Sequence, residues 1–241
     1  MKQNDRVHHR RRIFAWVGVV VFVMMCVGGW GVWRAASRPV WWGRAGMLPG
    51  DAAERGSALE RGGARALSEA RDDSERWTVS VAEADANAWL AHRLDRWLAN
   101  RGSEWAAAVK TEGAAGASRR VDFDGRRVRL GFEVDGVVVG LSAVPEVEGG
   151  ALWLRDPRWF VGRIELAASG ARWLNRVLVD RVGGRVSSEG RERLRGALDG
   201  SRALFEPASM PLDDGRVVML VEVRVEADRL LLTCRTLMEG Q

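Results

Sequence analysis

The stretch RRVDFDGRRVRLGFEVDGVVVGLSAV, residues 119–144, sets the architecture of this 241-residue chain. Val128, Leu130, Phe132 and Val134 share one face of it, and Arg127, Arg129 and Glu133 share the other. A period of two marks a half-buried strand. Asp124-Gly125 and Asp135-Gly136 interrupt the alternation. Such pairs tolerate the left-handed backbone that a tight hairpin requires. Past the second turn, Val137, Val139, Leu141 and Ala143 continue the apolar face, while Val138, Gly140, Ser142 and Val144 make the reverse face small and semi-apolar. Strands joined by short turns in this way form an antiparallel meander.

Toward the C-terminus, Glu148-Gly149-Gly150 turns again, and residues 151–164 read as a strand pair around Asp156-Pro157. Helical spacing returns at 167–182, where Ala171, Leu174, Leu178 and Val182 align, and a weaker helix covers 191–198. Residues 201–206 read as a strand. Asp214-Gly215 then opens a run in which Val217, Met219, Val221, Val223 and Val225 alternate with Glu222, Arg224 and Glu226. After a turn at Ala227-Asp228, Leu230, Leu232 and Cys234 repeat the pattern.

Toward the N-terminus, residues 77–81 form a short strand, and Ser80 with Glu83 matches a capping box at the start of a helix that runs to about Asn100. Ala84, Leu90, Ala91, Leu94 and Leu98 fall on one face of that helix, with Asn87 in their midst. A buried amide left unpaired costs on the order of a few kcal/mol. Asn87 is therefore expected to be structural, bonding a nearby strand or loop backbone, with a ligand contact as the alternative. Residues 34–76 are rich in Gly, Ala, Arg and Glu, with sparse apolar positions. They read as a solvated, partly helical stalk.

IFAWVGVVVFVMMCVGGWGVW, residues 13–33, carries no charge and follows Arg10-Arg11-Arg12. A helix of that length rises roughly 30 Å, the thickness of a bilayer core. It reads as a single transmembrane anchor. The basic tail, residues 1–12, favours a cytoplasmic N-terminus and places the remainder outside the cytoplasm. Trp30, Trp33, Trp41 and Trp42 fit an interfacial belt. A cleaved signal peptide competes with this reading, but Trp33-Arg34-Ala35-Ala36-Ser37 is a poor cleavage sequence. The expected fold class is α+β: a transmembrane helix (13–33) and stalk (34–76), then a curved antiparallel β-meander packed against two or three helices (77–238).

The net charge of +5 and pI near 10.3 suggest nucleic acid at first. Five of the 37 basic residues and one of the 32 acidic residues precede Ile13, so the rest of the chain is nearly balanced. No nucleic-acid partner is expected. Catalytic signals are absent. His92 is the one histidine beyond the basic tail and belongs on the charged side of its helix. Asp122, Asp124, Asp213 and Asp214 sit at hairpin turns, where Asp serves backbone geometry. Cys26 and Cys234 are far apart and in different surroundings. No enzyme, no metal site and no cofactor are expected.

The order of elements, with Val79-Ser80-Val81-Ala82-Glu83-Ala84-Asp85-Ala86-Asn87-Ala88-Trp89-Leu90 and the block from Val128 to Leu166 containing Val161-Gly162, resembles the YpmS-type family of single-pass bacterial envelope proteins. The resemblance implies a long curved sheet wrapped against helices, distantly similar to the TULIP class of tubular lipid-binding domains. Fold alone does not settle function.

The function expected from these readings is non-enzymatic binding of a lipid or other apolar ligand in a groove between sheet and helix. Leu90 and Leu94 would line it from the helix. Val128, Leu130, Phe132, Val139 and Leu141 would line it from the meander, and Val221, Val223, Leu230 and Leu232 from the last strands. An ordinary packed core is the competing use of these residues. The alternative function is a structural or assembly factor of the cell envelope that binds another protein.

Overall fold

The computed structural model describes residues 24–26, 29–31, 33–44, 50–69, 71–72, 75–100, 118–182 and 188–238. Nine strands form two open antiparallel sheets among these residues. The first sheet runs in chain order, β2 (Arg119–Asp124), β3 (Arg127–Val134), β4 (Val137–Glu148), β5 (Ala151–Val161) and β6 (Ile164–Glu165). The second has the order β1-β9-β8-β7, built from β1 (Arg76–Ala82), β7 (Ser209–Pro211), β8 (Arg216–Val225) and β9 (Arg229–Met238). The helices are α1 (Val40–Arg44), α2 (Ala52–Ser68), α3 (Glu83–His92), α4 (Leu94–Asn100), α5 (Ala168–Val182) and α6 (Ser188–Leu198).

The one curved antiparallel β-meander expected over 77–238 is thus corrected to two open sheets. The chain joins them at the tip of the β4–β5 hairpin. There the Leu152 N–H donates to Phe205 O at 2.9 Å, and the Ala208 N–H donates to Gly150 O at 2.8 Å. Residues 201–206, expected as a strand, form only the isolated bridge Leu152–Phe205. Asp156-Pro157 does not split β5 into a pair either. Asp156 takes a left-handed φ of 47° within one continuous strand, beside a register shift between Ser142 and Val144. Arg127 fixes that bulge, donating to an Asp156 carboxylate oxygen and to its carbonyl, both at 2.6 Å.

The transmembrane helix expected over 13–33 is corrected too. Residues 13–23, 27, 28 and 32 lie outside the described residues, as does the tail 1–12, and among the described residues no helix is long and apolar enough to cross a membrane. The single-pass topology, the membrane partner and the extracytoplasmic placement all rested on that helix, and no helix among the described residues carries them.

The segment after the apolar run is not a free stalk. The Arg163 N–H donates to Arg34 O at 3.1 Å, and α1 lies against the first sheet. Trp41 and Trp42, expected in an interfacial belt, are buried at 7% and 2% exposure in a cluster with Val138 and Phe160. Two rings contribute about 4–6 kcal/mol of gross transfer energy each. Ordering five residues costs about 5–10 kcal/mol of backbone entropy. Both rings are therefore needed to hold α1 in place. Gly131 makes room for them, since a Cβ there would lie 2.8 Å from the Trp41 ring and 3.0 Å from the Trp42 ring, while a Cβ on Gly140 would collide with Phe160 and the Leu130 carbonyl.

Helix α2, also assigned to the stalk, packs along α3. Gly56 sits so close that a Cβ there would stand 3.0 Å from Ala88 O. Ion pairs Arg93–Glu60 (2.6 Å) and Arg55–Asp85 (3.4 Å) flank this contact. Arg216, on β8, donates to the carbonyls of Leu67, Ser68 and Glu69. It thereby satisfies acceptors at the C-terminal end of α2, where a cation is favoured.

Candidate functional site

The residues expected to line an apolar groove do not converge. Leu90, Val128 and Leu230 pack with Ala86 against Val121, Phe123 and Val225. Val139 and Leu141 belong to a separate core with Trp159 and Leu174, beneath α5. Leu94, Phe132, Val221, Val223 and Leu232 are half-buried, and Leu130 is 45% exposed. The small reverse face that motivated the groove is filled by the chain's own Trp41 and Trp42. Apolar-ligand binding in such a groove is accordingly corrected to ordinary core packing.

Asn87, 3% exposed, holds a strand edge. Its Nδ2 donates to Val121 O at 2.8 Å and to Glu83 O at 3.0 Å, and its Oδ1 accepts from the Val121 N–H at 2.8 Å. The Glu83 carboxylate accepts from the Phe123 N–H at 2.9 Å. One helix face thus replaces the neighbouring strand that β2 lacks. Ser80 is not at the helix start. It lies in β1 opposite Leu231, because pairing with β9 continues to Ala82 and delays α3 to Glu83.

The four sheet edges differ in kind. β2 is sealed by α3. β6 has two residues, and β7 has three, ending in Pro211. β1 runs for seven residues with no register shift, and among the described residues no backbone hydrogen bond leaves its outer side. Thr78 and Ser80 are exposed along it. Unpaired N–H and C=O groups in a row are a template for another strand.

A cleft of about 430 Å³ opens on the opposite sheet, between residues 34–41 and the polar face of β3–β5. Its cationic wall is Arg34, Arg127, Arg129, Arg158 and Arg163, and its apolar wall is Pro39, Val40, Trp41 and Phe160. None of the expected groove residues lines it. The register places Arg129, Ser142 and Arg158 side by side across three strands. Like charges so arranged repel unless neutralised. Arg129 pairs with Asp122 at 2.8 Å and also with Asp124. Asp156 receives both Arg127 (2.6 Å) and Arg158 (2.9 Å). The hydrogen bonds from Arg127 and Arg158 hold the Asp156 carboxyl below the usual carboxylate range.

Arg34, Arg158 and Arg163 carried no functional reading in the sequence, and Trp41 was read only as part of an interfacial belt. The available signal was the row of arginines on alternate β3 positions, which becomes a cluster only once register is known. Other candidate chemistry stays dispersed. His92 is exposed at the end of α3. Cys234 is buried and its thiol is pushed up by desolvation, while Cys26 is exposed. Among the described residues no three His, Cys, Asp or Glu side chains gather in a way that could hold a metal ion. No family model, curated protein or solved structure matches the chain.

Proposed function

We propose that this protein is a non-enzymatic structural or assembly factor that acts through protein–protein contacts, taking a partner's strand on the free edge of β1. The observation that carries this reading is β1 itself: along all seven of its residues the side away from β9 makes no backbone hydrogen bond among the described residues, whereas β2 is sealed by a helix and the edge strands β6 and β7 are two and three residues long. Strand addition draws affinity from those groups and specificity from alternating side chains. Along β1, Trp77, Val79 and Val81 alternate with Thr78 and Ser80, so a partner strand would meet one apolar and one hydroxyl-bearing row.

Photo-crosslinking in intact source cells tests the reading. A photoreactive residue at exposed Thr78 or Ser80 is expected to capture one discrete protein. The same residue at Leu130, 45% exposed on strand β3 and paired there with Val121 on one side and Leu141 on the other, is not. Equal capture from both strands, or no protein adduct from β1, overturns the proposal.

A further inference from the structure

The arginine-lined cleft has a use that strand addition does not require. Arg34 and Arg163 both line it, linked through the Arg163 N–H to Arg34 O bond. The Arg34 guanidinium lies 5.0 Å from the Trp30 ring centroid, and Arg163 Nε donates to Arg38 O at 2.9 Å. Neither meets a carboxylate among the described residues, unlike Arg127, Arg129 and Arg158 in the same lining. Arg158 commits Nε and Nη2 to Asp156 and leaves Nη1 unused. Donors from three guanidiniums therefore remain beside a wall of Trp41, Phe160 and Val40.

We propose that this cleft binds a small organic oxyanion, a phosphate or carboxylate carried on a flat apolar group. The anion would lie among Arg34, Arg158 and Arg163, and the apolar body against Trp41 and Phe160. Guanidinium groups suit either head because their planar fork matches two oxygens at once. The aromatic wall distinguishes this ligand from a bare inorganic ion. Glu165, also in the lining and 3.7 Å from Arg158, keeps the site from accepting any polyanion indiscriminately.

Calorimetric titration of the full chain at low salt with phenylphosphate, benzoate and inorganic phosphate tests this. At least one organic anion is expected to bind, at least about tenfold more tightly than inorganic phosphate, and the tighter of the two identifies the head group. The double variant R34Q/R163Q is expected to weaken it by about tenfold or more, while R224Q, outside the cleft, leaves it unchanged. Val40 is 69% exposed at the rim, so V40D leaves packing intact and sets a negative charge beside the anion. It is expected to weaken binding to a similar degree, and it decides the matter if the double variant does not fold. No uptake of either organic anion, equal affinity for inorganic phosphate, or wild-type binding by V40D overturns the proposal.

Discussion

Strands β1 and β2 are both edge strands, and they meet the same problem in opposite ways. β2 has its outward groups at Val121 and Phe123 taken by Asn87 and Glu83 of a single helix. β1, which leads directly into that helix, makes no backbone hydrogen bond on its outer side among the described residues. A side-chain amide is well suited to the sealing task. It carries a donor and an acceptor in one plane, as a peptide group does, so it can complete both bonds to a single residue. Exposure of an edge is thus a property to be established strand by strand, since a sheet's end does not guarantee it.

Unsealing β2 should have the greatest effect. Asn87→Ala removes three hydrogen bonds and strands a buried N–H and C=O at Val121, so it should cost about 2–4 kcal/mol. Urea denaturation measures the loss, and light scattering should report new self-association from the opened edge. Glu83→Ala removes the charge-assisted bond to the Phe123 N–H and should cost about 1–2 kcal/mol by the same measurement. A finding that Glu83→Ala costs more than Asn87→Ala would reverse the roles assigned to the two residues.

Acid probes a different contrast, because an amide seal has no proton to gain. The carboxylates of Asp156, Asp214 and Asp228 are all held below the usual range by hydrogen bonds from Arg127, Arg216 and Arg229 respectively. Groups lowered in the folded state contribute stability above their unfolded pKa, and that contribution is lost as pH falls through the folded one. The urea midpoint is therefore expected to fall as pH drops below about 4, with D156N showing a smaller fall than the parent. An acid-insensitive midpoint would refute these ties. The open edge should respond least. Thr78→Lys should change stability by no more than about 0.5 kcal/mol, since it touches an exposed position, yet it should suppress capture of a partner by a crosslinker placed at Ser80.

Much of the strand order was legible because Asp124-Gly125, Asp135-Gly136 and Glu148-Gly149-Gly150 punctuate alternating runs. The structure places turns at those positions, with left-handed glycines at 125, 136, 149 and 150. The helix at 168–182 was legible from its apolar spacing. What escaped sequence reasoning depended on contacts between distant parts. Trp41 and Trp42 look interfacial beside an apolar run, and only the close approach at Gly131, next to Val138 and Phe160, reveals their packing site. Helix α2 reads as solvated because its contact with α3 uses Gly56 and Ala88, two of the least hydrophobic ways to pack. Asp156-Pro157 signals a turn by local chemistry, but Arg127 from another strand overrides it. The cleft was hidden for the same reason: its arginines come from two strands, a turn and the N-terminal segment.

Pairing of β1 with β9 also sets a timing problem during synthesis. The Trp77 Nε1–H bond to Thr236 Oγ1 joins positions 159 residues apart. At ~5–20 residues per second, β1 waits roughly 8–30 s after leaving the ribosome before its partner emerges. For that interval neither flank of the strand is satisfied, so the nascent protein is most exposed to mispairing well before translation reaches β9.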